Sequence, residues 1–227
     1  VLLGSREGLQ RLSARDERPR GRIADMQHGN EAVLIAGDGL WRLKTDGNAL
    51  EELPLPTRRR LVALGVQGEQ VLLAEDGRRV YRWTGASAEP WLELPRADAR
   101  LQVLAAAADA SGWWIGSTRG LLRVDAQGHV LESLLDDVWI SAVVERPGEL
   151  WVGSWKQGLL LRRADRWYRL GEGLGGLAAS SVSGITVDSA DHVWLALYGG
   201  GAWHAPLSSL RDALLHQPWT PVADARD

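Results

Sequence analysis

Side chains that could bind a ligand lie in six short segments of the sequence, each between two apolar runs. Charged, amide or aromatic residues occupy these segments, namely Arg6, Glu7, Asp38, Asp76, Arg119, Trp155, Lys156, Gln157 and Tyr198. Their types differ from one segment to the next while the flanking residues repeat, which is typical of a binding surface carried on a uniform scaffold. Trp155 and Tyr198 stand out, because an aromatic residue at a turn has less chance of a core role. We predict these residues as candidate ligand-binding residues.

No pattern in the sequence predicts catalysis or a bound metal. The chain has no Cys, which excludes thiol chemistry and zinc–thiolate sites, and its five His residues form no metal-binding pair on a helix. Residues 171–176 read GEGLGG and match the letters of a dinucleotide fingerprint, but a strand that begins by Val182 leaves no room for the required helix. The segment Asp188–Asp191 lacks the remaining ligands of a calcium loop. We predict no catalytic residue, no metal and no cofactor.

Charge and hydropathy exclude two further classes. The formal net charge is −3, so there is no general electrostatic reason to expect nucleic acid as a partner. No stretch approaches the roughly 20 uncharged residues of a membrane-spanning helix. The chain begins at Val1 and its first repeat is partial. We therefore expect it to be a piece of a longer protein.

A short phrase of three apolar residues followed by Gly or Ala recurs six times, about 38 residues apart on average. Its copies are Val1–Gly4, Val33–Ala36, Val71–Ala74, Trp113–Gly116, Leu150–Gly153 and Val193–Ala196. A continuous apolar run of this length indicates a strand covered on both faces, and the small last residue indicates close approach of another backbone. The mid-strand Trp114, Trp151 and Trp194 are expected to pack between repeats.

Each phrase is followed by a turn glycine and a second strand, and further strand patterns precede and follow the pair. Four antiparallel strands per repeat of this length predict an all-β fold, a β-propeller of four-stranded antiparallel blades. About six blades are represented, the first one partial, as a single propeller domain or fragment that could belong to a seven-bladed ring. The predicted units are 1–20, 21–56, 57–96, 97–136, 137–176 and 177–227. Residues Leu207–Leu215 are predicted as a short helix and Trp219–Val222 as the outer strand of the last blade.

The second strand of the pair carries a basic residue at a recurring position. This position holds Arg11, Arg42, Arg82, Arg123 and His204. His204 is therefore expected to be an ordinary strand residue.

The later repeats resemble a known family. Residues 114–125 read WIGSTRGLLRVD, residues 150–154 read LWVGS, and residues 184–196 read GITVDSADHVWLA. These segments resemble the two-component regulator propeller repeat. The resemblance implies a periplasmic ligand-sensing domain of a bacterial receptor that acts as a homodimer. It also implies that a histidine kinase or diguanylate cyclase output would lie outside these residues.

The leading hypothesis from the sequence is therefore a non-catalytic, extracytoplasmic sensor domain whose ligand is a small molecule or a glycan. One alternative is a secreted propeller enzyme acting on polysaccharide, which needs two or more carboxylates or a His–Tyr pair at one site. Another is a protein-interaction scaffold, for which an exposed apolar patch on the rim is expected.

Overall fold

The fold is described by a computed structural model that covers residues 2–5, 8–11, 23–28, 32–37, 40–44, 50–53, 61–67, 70–75, 78–84, 87–94, 102–172 and 176–221. These residues form β-strands in antiparallel sheets and one α-helix, and they divide into two compact units, Val1–Gln102 and Val103–Asp227. No helix in this described part of the chain is long and apolar enough to cross a membrane.

The first unit contains three antiparallel sheets. The first sheet pairs β1 (Leu2–Ser5) with β2 (Gly8–Arg11). The second has the order β3 (Ile23–His28), β4 (Ala32–Gly37), β5 (Leu40–Lys44), β6 (Leu50–Glu52). The third has the order β7 (Leu61–Gln67), β8 (Gln70–Glu75), β9 (Arg79–Trp83), β10 (Ala88–Glu93). Each sheet follows the chain order, as expected of sequential hairpins.

The second unit contains three further sheets and the helix. The first sheet has the order β11 (Val103–Asp109), β12 (Gly112–Ser117), β13 (Gly120–Asp125), β14 (Val130–Leu134). The second has β15 (Ile140–Arg146), β16 (Glu149–Ser154), β17 (Gly158–Arg163), β18 (Arg166–Leu170) and, beyond β18, β22 (Pro218–Trp219). The third has only β19 (Val182–Val187), β20 (His192–Leu197) and β21 (Gly201–Pro206), and α1 (Leu207–Leu215) follows.

In every described sheet except the first, the recurring phrase forms the second strand, and in the second unit its small last residue lets neighbouring sheets approach. Every residue of β12 and β16 is buried. A Cβ atom added at Gly116 would lie 2.6 Å from Cγ2 of Ile140 in the next sheet, and one at Gly153 would lie 3.0 Å from Cγ1 of Val182. These contacts explain why these two positions hold Gly, because a Cβ atom there would push the following strand away.

The predicted fold class is confirmed: the chain is all-β, with sheets of the propeller type at the predicted spacing. The helix at Leu207–Leu215 is also confirmed, and it buries Leu207, Leu210 and Leu214 in the core of the second unit.

The prediction for Trp219–Val222 was wrong, because β22 pairs with β18 of the preceding sheet. Trp219 lies opposite Trp167 in that pairing and joins the apolar cluster around it. The docked helix α1 carries the chain back to this sheet, so the burial of an indole outweighs the repeat pattern.

The mid-strand tryptophans differ in burial. Trp151 is fully buried and Trp114 is 8% exposed, as expected for packing between sheets. Trp194 is 41% exposed, and its ring stacks on that of His204 within its own sheet, with ring centroids 4.4 Å apart.

Candidate ligand-binding site

The predicted binding residues of the second unit lie in the hairpin turns between the second and third strands of each sheet. Arg119 lies in the turn between Ser117 and Gly120, and residues 155–157 lie between Ser154 and Gly158. The hydroxyl of Ser117 donates to the carbonyl of Gly120 at 3.0 Å, and that of Ser154 donates to the carbonyl of Gly158 at 2.9 Å. These two bonds therefore close the turns without using the side chains at their tips.

Three aromatic side chains from this end of the unit form one cluster, here called the aromatic row: Trp139, Trp155 and Tyr198. The ring centroids of Trp139 and Trp155 are 5.5 Å apart with an angle of 27° between the ring planes. Those of Trp155 and Tyr198 are 4.8 Å apart at 49°. Tyr198 is 67% exposed and Trp139 41% exposed, while Trp155 between them is half-buried. The row is thus an apolar surface that solvent, or a ligand, can reach.

Backbone hydrogen bonds fix the positions of the three rings. The N–H of Trp155 donates to the carbonyl of Trp139 at 2.8 Å, and the N–H of Tyr198 donates to the carbonyl of Ser181 at 2.9 Å. Lys156 N–H donates to Oγ of Ser181 at 3.2 Å, which links the turn at Trp155 to the segment before β19. The rings are therefore held by backbone that is itself paired, as preorganised sites require.

The charged and amide residues of the prediction have different environments. Nη1 of Arg119 lies 2.6 Å from Oδ1 of Asp137, so the guanidinium is paired just before Trp139. The carbonyl of Gln157 accepts a hydrogen bond from Nε of Arg169 at 2.9 Å. The exposed Lys156 has a φ of +79°, a left-handed conformation that non-glycine residues rarely adopt.

The structure brings together Trp155, Lys156, Gln157 and Tyr198, and it adds Trp139, which the sequence reasoning did not select. Trp139 precedes β15 rather than lying in a hairpin turn, so the repeat of the hairpin turns does not indicate it. The sequence signal that indicates it is a Trp directly before the inner strand that begins at Ile140. Arg119 is paired with Asp137, and the remaining candidates, Arg6, Glu7, Asp38 and Asp76, lie outside the described residues.

The aromatic row is suited to binding a ligand. Flat aromatic faces bind apolar or ring-shaped ligands, and hydroxyl, amide and ammonium groups at their edge provide orientation. Within residues 102–172 and 176–221, and among the other described residues, no group of three or more His, Cys, Asp and Glu side chains could hold a metal ion.

A polar cluster elsewhere in the second unit includes Asp109 and Glu145. Nη2 of Arg123 donates to Oδ1 of Asp109 at 2.6 Å, and the N–H of Ser111 donates to the same oxygen at 2.7 Å. Burial tends to raise the pKa of Asp109, but these hydrogen bonds outweigh it and hold the pKa below its usual range. Burial and the Asp109 carboxylate together raise the pKa of Glu145, against the opposing effect of Arg123.

A buried carboxylate attaches α1 to the second sheet of this unit. Oε1 of Glu149 lies 2.6 Å from Nε of Arg211 on the helix, and Oε2 accepts a hydrogen bond from Nη2 of Arg211 at 3.0 Å. Oε2 also accepts a hydrogen bond from Nε1 of Trp151 at 3.2 Å. Glu149 thus joins the helix to the motif tryptophan, and its role is structural.

Comparisons with known proteins support the fold. Neither a family model nor a curated protein matches the sequence. Among solved structures, the extracellular domain of the hybrid two-component system BT4673 from B. thetaiotaomicron matches with a TM-score of 0.70 at 15% identity, over 89% of this chain and 30% of that chain. The corresponding domain of BT3049 from the same organism matches with a TM-score of 0.61 at 18% identity, over 81% of this chain and 26% of that one.

A protein of another role has a similar fold. PorZ, a surface component of the type-IX secretion system of Porphyromonas gingivalis, matches with a TM-score of 0.62 at 13% identity, over 88% of this chain and 36% of that chain. The chain therefore spans about a third of the length of these proteins. At such identities the likeness shows the propeller-type fold and nothing about the ligand.

Proposed function

We propose that this chain is an extracytoplasmic ligand-sensing propeller domain of a bacterial two-component-type receptor, and that the aromatic row binds the ligand. The observation that carries the proposal is the row itself: Trp139, Trp155 and Tyr198 meet although they come from separate loops, and all three remain accessible. A contiguous group of exposed aromatic rings is typical of an interaction site. The similar folds of the two extracellular two-component domains agree with this proposal.

The ligand class that fits the row is a small molecule or glycan with a flat face. A sugar or aromatic ring can stack on Tyr198 or Trp139, and Lys156 can orient a polar substituent. The domain itself is non-catalytic, and a kinase or cyclase output would belong to other parts of a receptor. The receptor is proposed to be a membrane-bound homodimer, with this domain in the periplasm.

The polysaccharide-enzyme alternative has less support at this site. Two carboxylates flanking a substrate bond would be needed for glycoside hydrolysis. Asp137 lies closest to the row along the chain, and its carboxylate is paired with Arg119 at 2.6 Å.

The test is a binding titration of the purified chain with a panel of short neutral and acidic oligosaccharides and of aromatic carboxylic acids, followed by calorimetry. A hit should lose affinity in Trp155→Ala and Tyr198→Ala. It should keep its affinity in Leu131→Ala, because Leu131 is 63% exposed on an outer strand away from the row. Hits that bind all three variants equally, or an entire panel without a hit, would argue against the proposed site.

A further inference from the structure

The two residues that directly precede β19 connect the turn after β16 to the turn after β20. The N–H of Gly158 donates to the carbonyl of Ser180 at 2.8 Å, and the N–H of Tyr198 donates to the carbonyl of Ser181 at 2.9 Å. The N–H of Lys156 donates to Oγ of Ser181 at 3.2 Å. Ser181 therefore binds one turn through its side chain and the other turn through its backbone.

Ser181 and Trp139 occupy equivalent places in two neighbouring sheets. Each directly precedes the first strand of its sheet, which is β19 for Ser181 and β15 for Trp139. The carbonyl of Trp139 accepts the N–H of Trp155 at 2.8 Å, and Trp155 directly follows β16. Likewise, the carbonyl of Ser181 accepts the N–H of Tyr198, which directly follows β20. The same backbone arrangement thus carries a large side chain in one sheet and a small one in the next.

The size of the side chain at this place determines what covers the aromatic residue of the turn. The ring of Trp139 stacks on that of Trp155, with 5.5 Å between the centroids. Ser181 has no ring to place on Tyr198, and its hydroxyl reaches the N–H of Lys156 in the preceding turn instead. The rings of Trp155 and Tyr198 therefore pack directly against each other, and Tyr198 remains largely exposed.

The hydroxyl of Ser181 also supports a strained part of the turn. Lys156 has a φ of +79°, in the left-handed region. A non-glycine residue keeps such a conformation only where the surrounding structure enforces it. The hydrogen bond from the Lys156 N–H to Ser181 is one such contact, and it comes from a different loop. Loss of this bond should therefore loosen the turn that carries Trp155.

We propose that Ser181 is a positioning residue of the aromatic row. Its hydroxyl holds the turn of Trp155, its carbonyl holds Tyr198, and its small side chain lets the two rings meet. The residue at this place thereby determines how much of Tyr198 a ligand can contact. The effect on a ligand rests on the proposed function, whereas the effect on the two rings does not.

The first test removes the hydroxyl and keeps the small size. In Ser181→Ala the amide of Lys156 should exchange with water about 2- to 10-fold faster, as expected for the loss of one hydrogen bond. Ser181→Thr retains a hydroxyl and should restore slow exchange. Ser183→Ala is the matched control, because the hydroxyl of Ser183 donates to the carbonyl of Ala196 at 3.1 Å within its own sheet. Nitrogen-15 NMR of the 227-residue chain measures the exchange rate.

The second test changes the size. Ser181→Trp introduces the residue that the preceding sheet has at the equivalent place, where Trp139 is accommodated. The hydroxyl of Ser181 points to the turn of Trp155, so an indole there lies between the two turns. The nuclear Overhauser contact between the rings of Trp155 and Tyr198 should therefore disappear. Ser183→Trp is the control and should leave this contact intact.

Calorimetry with a hit from the ligand panel links the rings to binding. Ser181→Ala should weaken the hit about 2- to 10-fold through loss of preorganisation, and Ser181→Thr should restore its affinity. Ser181→Trp should weaken it further, because the ring of Tyr198 is then covered. An absence of hits counts against the proposed function alone, since the NMR measurements need no ligand.

Two results would overturn the proposal. One is that Ser181→Ala leaves the exchange of the Lys156 amide unchanged and Ser181→Trp leaves the contact between Trp155 and Tyr198 unchanged. The other is that the Ser183 variants change the exchange rate and the ring contact as much as the Ser181 variants do, which would indicate a general loss of stability in β19.

Discussion

The ring of Trp155 packs against that of Tyr198 with 4.8 Å between their centroids, although the two residues belong to hairpin turns of different sheets. Each ring is placed by its own backbone hydrogen bond, so the contact depends on the spacing of the sheets rather than on the loops alone. The contact therefore joins the scaffold to the proposed binding surface, and several consequences can be measured.

Trp139→Ala should weaken any ligand that binds the aromatic row about 2- to 10-fold, the effect of losing one aromatic contact. The reason is that Trp139 presents an accessible ring next to Trp155. Calorimetry with the hit from the panel checks this prediction. Val130→Ala is the matched control, because Val130 is 49% exposed on β14 and should leave affinity unchanged.

Gly116→Ala should destabilise the second unit by about 1–3 kcal/mol, as overpacking of a filled core does. The added Cβ would lie 2.6 Å from Cγ2 of Ile140, so the next sheet must shift. Urea unfolding followed by circular dichroism measures the loss. Gly184→Ala is the control, since its nearest contact would be an ordinary 3.5 Å to Cβ of Ala196, and equal losses in both variants would contradict the close-approach argument.

Glu145→Gln should stabilise the chain at neutral pH. A carboxyl whose pKa is raised on folding binds its proton more tightly in the folded state, so its charge opposes folding at neutral pH. That penalty disappears as the pH falls through the raised pKa, so the gain from the variant should shrink in acid. Urea midpoints at neutral and acidic pH measure the gain, with Glu172→Gln as an exposed control.

Asp109→Asn should have the opposite pH dependence. A carboxylate whose pKa is lowered on folding contributes stability above its ordinary pKa, and this contribution is lost as the pH falls through the folded pKa. The variant should therefore be less stable than the parent chain at neutral pH and approach it in strong acid. A stability difference that stays constant with pH would show that the carboxylate charge is not responsible.

Glu149→Ala should cost about 2–4 kcal/mol, because it leaves the partly exposed Arg211 and the buried Nε1 of Trp151 without their acceptor. Thermal unfolding measures the loss, and amide exchange in α1 should rise with it. Arg163→Ala is the control, since its Nε lies 3.9 Å from Glu149 and its side chain is 49% exposed.

The repeat predicted most of the fold because each sheet is built from local hairpins. Strand pairing within a sheet depends on residues that are close in sequence, namely the apolar phrase, the turn glycine and the flanking strands with alternating apolar residues. The sheets therefore lie at the predicted positions. The pairing of β22 with β18 could not be predicted in the same way. It depends on where α1 docks and on the burial of Trp219 against Trp167, which are tertiary contacts.

The candidate site was predicted in part for the same reason. Hairpin tips can be located from the repeat, which gave Trp155, Lys156, Gln157 and Tyr198. Trp139 comes from a connection between sheets, and its contact with Trp155 becomes visible only when the sheets are assembled. Likewise, the ion pair of Arg119 with Asp137 links the turn before β13 to the segment before β15, and the repeat pattern does not predict that contact.

The hydrogen bonds from Ser117 to Gly120 and from Ser154 to Gly158 close turns of different length at equivalent places in two sheets. These closing bonds do not depend on the side chains at the tips, so the tip side chains can vary while the closing bonds remain. For evolution this makes each turn a variable segment on a uniform scaffold, so the surface at this end of the unit can change through a few substitutions. For protein engineering it offers a set of adjacent insertion points in which new recognition loops could be grafted onto one rigid unit.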